Sequence, residues 1–336
     1  MFMNIYDISK KAGVSIATVS RVLNGSGKVS ERTRQKVLSV IEETGYTPNV
    51  FARSLGLNTM KTIGILSADS SDTFLANAIY YLEQELRRHG YDSLLCCTGY
   101  EHDAKEKYLS LLLSKRVDAV ILAGSSFIEK NAKQNQYILD AAGDVPIIIV
   151  NGYLKGDNIY CSLCDDEQAI YRVTSKLLQS GRTSPVYLYR SLSYSGRHKL
   201  AGYKRACADH GLSPDKIKSC CFSADILSVR DLLLNDREFQ NHDVFITSDD
   251  DMGISVLKYA QASGRSVPDD LCITGYNNSK MGICCEPELT TVDNRLEFSC
   301  TNAVSMLMQV LDQKTVPSKT MITGEIIARG TTDTVF

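Results

Sequence analysis

The chain has 336 residues, enough for two or three domains with sizeable cores. It is 43% hydrophobic and 23% charged, an ordinary globular composition, and no apolar run approaches the roughly 18 residues of a membrane span. The net charge of -2 hides a split: residues 1–61 hold nine Lys/Arg against four Asp/Glu, the rest 28 against 35, so a polyanion is expected to meet only the head. The start, "MFMNIYDISKK", has neither the apolar core nor the small-residue cleavage site of a signal peptide, and a cytoplasmic protein is expected.

In the head, "NIYDISKKA" sets Ile5, Ile8 and Ala12 on one helical face with Asn4 as cap. Gly13 supplies the left-handed residue that stops this helix. Ser15 caps a second helix to about Leu23, with Val19, Val22 and Leu23 inward. A third begins at Ser30, carries Val37, Leu38 and Ile41 inward and ends near "TGY". Three short helices with a tight glycine turn between the first two describe a helix-turn-helix domain. Spacing alone fits a generic three-helix bundle equally well. Next, "TPNVFARSLG" has a breaker at Pro48, a cap at Asn49 and a stop at Gly56. So short a helix is unstable alone in water, and the segment reads as a linker or as a helix that folds on docking.

From Thr62 the pattern alternates. "TIGILSAD", "YDSLLCCTG", "VDAVILAG" and "VPIIIVNG" read as buried parallel strands, with "DTFLANAIYYLEQELRRHG" and "AKEKYLSLLLSKR" as helices. It restarts with "PVYLYRS", "KIKSCCFS", "DVFITSD" and "DLCITGYN", separated by helices such as "KLAGYKRACADHG" and "DMGISVLKYAQASG". Two doubly wound α/β units in tandem leave a ligand cleft between the loops at their strands' carboxyl ends. All eleven Cys lie beyond residue 95, and Cys161-x-x-Cys164 has neither a second pair nor a suitably spaced His, so no metal and no cofactor is expected. "GSGKVS" lacks phosphate-loop spacing, the three acids at 249–251 open a helix, and the five His are scattered. No catalytic constellation emerges, and the chain is not read as an enzyme.

The segment "DISKKAGVSIATVSRVLNGSGKVSERTRQKVLSVIEETGYTPNVFARSL" resembles the head of lactose- and galactose-repressor-type (LacI/GalR) regulators. Their pattern runs D-V/I-A-x-x-A-G-V-S-x-x-T-V-S-R-V-L-N, then V-S-x-x-T-R-x-K-V, G-Y-x-P-N and A-R-S-L. The resemblance implies base-reading positions at Ile16, Ala17 and Arg21. It implies backbone contacts at Ser15, Thr18, Ser20, Asn24 and Thr33, and hinge contacts at Ala52 and Leu55, the latter as an intercalating wedge. "KRVDAVIL", "LAGYKRA", "VPDDLCITGYNN" and "PELTTVDN" match landmarks of the family's core more loosely. That core resembles periplasmic sugar-binding proteins, and implied effector positions fall on Asn151, Lys199, Asp249 and Asn277, with Phe74 as an apolar wall. The usual Arg is Lys199, which lacks the bidentate fork, and the usual Asp of "GYDD" is Asn277. A small polar ligand and a closed, degenerate pocket are both open; Arg197 is a further cation nearby.

The expected fold is multidomain: a small all-α helix-turn-helix head (1–48), a hinge helix and linker (49–61), and an α/β periplasmic-binding-protein-like core (62–336) of two doubly wound subdomains. Crossovers are expected near 161, 291 and 323, giving subdomains of about 62–161 with 291–322 and 162–290 with 323–336. The expected function is a repressor that binds a near-palindromic double-stranded DNA operator and answers to a small sugar-like effector. The chain stops shortly after "ARG" without leucine heptads, which predicts a homodimer. The alternatives are control by a partner protein, or a solute-binding module or sugar enzyme with an accessory DNA-binding head.

Overall fold

The computed structural model describes residues 3–23, 28–46 and 59–333. These form two compact units, a small one drawn mainly from residues 1–62 and a large one from the remainder.

The small unit is helical. In α1 (Ile5–Ala12) the Asn4 side chain accepts from the Tyr6 and Asp7 amides while Asp7 takes the Asn4 amide, a capping box. Gly13 follows at φ 59° and ψ 38°, and its amide closes on Lys10 and Ser9. The Ser15 hydroxyl takes the Thr18 amide at 3.1 Å to open α2 (Ile16–Leu23), and Ser30 caps α3 (Glu31–Thr44). Ile8, Ala12, Val19, Val22, Val37 and Tyr46 are buried together. One expectation fails: Leu38 is 41% exposed, and Val40 packs inward beside Ile41 instead. Leu38 lies about 100° around the helix from Val37, outside the 37–40–41–44 stripe.

The large unit holds two six-stranded sheets. The first uses β1 (Thr62–Ser67), β2 (Asp92–Cys97), β3 (Ala119–Ala123), β4 (Ile147–Val150), β5 (Ile159–Cys164) and β11 (Lys319–Ile322), in the order β11-β5-β4-β3-β1-β2. The second uses β6 (Pro185–Tyr189), β7 (Lys218–Cys221), β8 (Val244–Thr247), β9 (Cys272–Tyr276), β10 (Thr290–Asp293) and β12 (Glu325–Ile327), in the order β12-β10-β9-β8-β6-β7. Pairing of β1 with β3 and of β6 with β8 is parallel, whereas β12 runs antiparallel to β10. Ile63, Ile65, Ile121 and Ile148 of the first sheet lie under α4 (Thr73–Arg88) and α12 (Leu296–Leu311). The second sheet is covered on both faces. Val186 and Leu188 face α9 (Ile226–Asn235) and α10 (Asp250–Ser263), while Tyr187 between them faces α7 (Asp166–Gln179) and α8 (Tyr194–Asp209).

In the large unit the structure corrects the sequence reading in two places. The runs "YDSLLCCTG" and "KIKSCCFS" are not buried strands, because β2 and β7 stand at sheet edges: β2 is mostly exposed, with Leu95 at 41%, and β7 has no buried residue. Nor does "TTVD" return to the first subdomain: β10 pairs with β9 and β12. The chain therefore leaves the first subdomain after β5, returns between β10 and α12, and leaves again between β11 and β12. An apolar strand fits either sheet by pattern alone; the Thr290–Thr274 register decides its place.

Candidate functional site

In the small unit, α2 presents a consistent outer face. Ser15, Ile16, Ala17 and Arg21 are exposed, Thr18, Ser20 and Thr33 are half-buried, and Val19 and Val22 are buried. Ala17 and Arg21 are four residues apart, so they share one stripe of the helix. The Ser15 and Thr18 hydroxyls are 2.9 Å apart, as are those of Ser30 and Thr33 at 2.8 Å. The first turn of α2 contains no acidic residue of its own to offset the positive end of the helix dipole. Asn24, Ala52 and Leu55 lie outside the described residues, as does most of the expected hinge.

In the large unit a cavity of about 1960 Å³ opens between the loops at the carboxyl ends of the two sheets, and Phe74, Asn151, Lys199, Asp249 and Asn277 all line it. Phe74 is in the first turn of α4 behind the cap Asp72, whose carboxylate takes the Leu75 amide at 2.9 Å. Asn151 follows β4 at φ 64° and Asn277 follows β9 at φ 98°. Asparagine tolerates this left-handed region better than most side chains, and each amide is anchored to the neighbouring strand, on Ser162 and Val292. The Asn277 side-chain oxygen accepts from Asn294 at 3.0 Å. Asp249 caps α10 through the Met252 amide at 2.9 Å and also takes the Ser248 hydroxyl.

Lys199 stands apart from an exposed, ligand-gripping cation. It is 7% exposed, its Nζ donates to the Ser248 carbonyl at 2.9 Å, and it sits 3.6 Å from the centre of the Tyr276 ring. Burial lowers its pKa, against the pull of Asp166 and Asp249. The Tyr276 hydroxyl in turn donates to the buried Asp166. The sequence reading missed Arg190, which binds Asp249 through Nε at 3.1 Å and the Ala224 carbonyl at 2.8 Å. Its position directly after β6 was the available signal, since ligands in α/β folds gather at strand carboxyl ends. Arg197 also lines the cavity, with one nitrogen on the Leu192 carbonyl at 2.8 Å. Lys105 is buried in a 2.8 Å ion pair with Glu129 at the cavity wall, and Ser125 of the first subdomain donates to the Ser193 hydroxyl of the second at 3.0 Å.

This architecture has close counterparts. Residues 4–49 match the bacterial regulatory proteins of the lacI family, and residues 60–330 match the periplasmic binding proteins and sugar binding domain of the LacI family. An HTH-type transcriptional regulator of Lachnoclostridium phytofermentans is 56% identical over 332 residues, 98% of this chain and 100% of its own. The HTH-type transcriptional repressor PurR of Vibrio campbellii is 28% identical over 97% of this chain and 98% of its own. The crystal structure of the lac repressor dimer bound to operator and the anti-inducer ONPF shares the fold, with a TM-score of 0.87 at 22% identity over 99% of each chain. Matched in both its helical head and its two-sheet core, the chain belongs to the LacI family and is a DNA-binding transcriptional regulator.

Proposed function

We propose that the protein is a cytoplasmic repressor that binds a near-palindromic operator as a homodimer and is controlled by a small, polar, sugar-like ligand in the cleft. The observation that carries this reading is the convergence of five residues from five separate chain segments on one cavity, in a chain that also bears a helix-turn-helix head. Ile16 and Ala17 would pack on thymine methyls and Arg21 would pair with guanine, while Ser15, Thr18, Ser20, Asn24 and Thr33 hold phosphates and Ala52 and Leu55 serve the hinge. Exposed Leu94 and Leu95 on the edge strand β2 favour burial against a second copy. Ligand that binds one relative angle of the subdomains better than another shifts the population competent for DNA.

The test is fluorescence anisotropy on palindromic and random duplexes across a salt series, paired with a thermal-shift screen of sugars and sugar acids. Binding with no sequence preference at any salt concentration would sink the operator assignment. Arg21→Ala should weaken operator binding by about 1–3 kcal/mol and relax preference at one base pair; unchanged affinity contradicts the docking. Asn277→Ala should lose the ligand-induced thermal shift while operator affinity stays within about twofold, since the head carries the DNA contacts. Joint loss of both functions would place the damage in folding instead.

A further inference from the structure

Asp250, the first residue of α10, is 2% exposed, and its carboxylate joins three pieces of the second subdomain. One oxygen accepts the Thr291 hydroxyl from β10, and the other accepts the Ser279 backbone amide. Ser279 ends the loop that carries Asn277 and Asn278, both in the left-handed region at φ 98° and 50°. Two consecutive non-glycine residues keep such angles only where their surroundings impose them. Thr291 Oγ1 also accepts the Asn278 amide at 3.3 Å, so both ends of the loop's last turn bear on one carboxylate–hydroxyl pair. Gly275 makes room for it: a Cβ there would lie 2.2 Å from Asp250 Oδ1. Thr291 sits two residues before Asp293, where the chain begins its return to the first subdomain.

We propose that Asp250 is a positioning residue that fastens the ligand loop 277–279 to the crossover strand β10, so that a ligand pinning the loop also sets the strand on which the subdomains turn. The proposal rests on the cleft being the effector site. Its mechanism follows from the donors. Alanine abolishes both bonds, whereas asparagine keeps the Ser279 bond through its oxygen and replaces the other with one of reversed direction, its amide donating to Thr291 Oγ1.

Charge adds a second handle. Burial pushes the Asp250 carboxyl up to about 6 despite its two donors. The ionisable groups acting on it and on the loop it holds include Asp249 on the same helix start, Lys199 on α8, Cys285 beyond the short α11 (Lys280–Ile283), and Arg329 and Asp293, which both bond the Asn278 side chain. Opening the loop rehydrates the carboxylate and returns it toward its usual range. The closed loop is therefore the form that favours the proton, and acidification through about pH 6 tightens it.

Hydrogen–deuterium exchange on the full-length protein tests this without DNA or ligand. Peptides covering 277–283 in Asp250→Ala should exchange at least about tenfold faster than wild type, with peptides from 62–97 unchanged. Asp250→Asn should match or exceed wild-type protection at about pH 7.5. Corrected for intrinsic rates, wild-type protection of 277–283 should rise between about pH 7.5 and 5.5, and that of Asp250→Asn should not. Unchanged exchange at 277–283 in Asp250→Ala, faster exchange spread equally into 62–97, or identical pH profiles for wild type and Asp250→Asn would each overturn the proposal. Because no ligand enters the measurement, it can fail while the effector reading stands, and the reverse.

Discussion

Gly202→Val lowers the melting temperature of the core by roughly 6–12 °C, and Gly202→Ala lowers it in the same direction. Gly202 lies in α8 where that helix meets α7, and a Cβ there would sit 2.1 Å from the Glu167 carbonyl oxygen and 3.1 Å from the Tyr171 amide nitrogen. Both atoms belong to the backbone of α7 and cannot swing aside as a side chain would. The helices must separate, which costs about 3 kcal/mol at the upper end of overpacking effects, or about 2–4 °C per kcal/mol in a core of this size. The alanine variant is the sharper test. Helix propensity alone predicts that Ala for Gly stabilises by about 1 kcal/mol, so a raised melting temperature by calorimetry would refute the close-approach argument. Lys199 lies one turn earlier on the same helix, so the displacement also reaches the cleft.

Asp250→Asn should stabilise the fold at about pH 7.5 by up to about 3 kcal/mol, read by urea denaturation, and the gain should vanish near pH 4. The folded carboxyl is raised from 3.8 to about 6 by burial, a shift of roughly two units worth about 1.4 kcal/mol each. For an acid raised on folding, the stability present below the unfolded value is lost as pH climbs through the folded one. The wild type thus carries its full penalty only above about pH 6, and the uncharged asparagine carries none. Equal unfolding midpoints for the two proteins at pH 7.5 would contradict this.

Among the described residues the helices of the head were legible, because their signals are local: Asn4, Gly13, Ser15 and Ser30 cap or stop helices through partners a few residues away. Leu38 was misread because one apolar residue beside a stripe is indistinguishable in composition from one within it. In the core, strand identity was legible and strand placement was not. "DSLLCC" is as apolar as a central strand, but whether a strand has one neighbour or two is decided by residues far away in the chain. The cavity drew in all five residues expected there. What the sequence withheld was the state of their charges: Lys199 is spent on a carbonyl and a ring, and Arg190 holds Asp249. Those facts are tertiary pairings with no sequence period.

The three passages of the chain between subdomains also dictate an order of manufacture. Strand β5 is flanked by β11, with Cys161 opposite Lys319, and α12 packs on the sheet they share. The first sheet therefore cannot be completed until synthesis has passed Ile322, whereas the helices of the head close among themselves. On the ribosome, the helical head is complete well before the first sheet. A product terminated before β11 would carry a finished head on an unfinished first sheet.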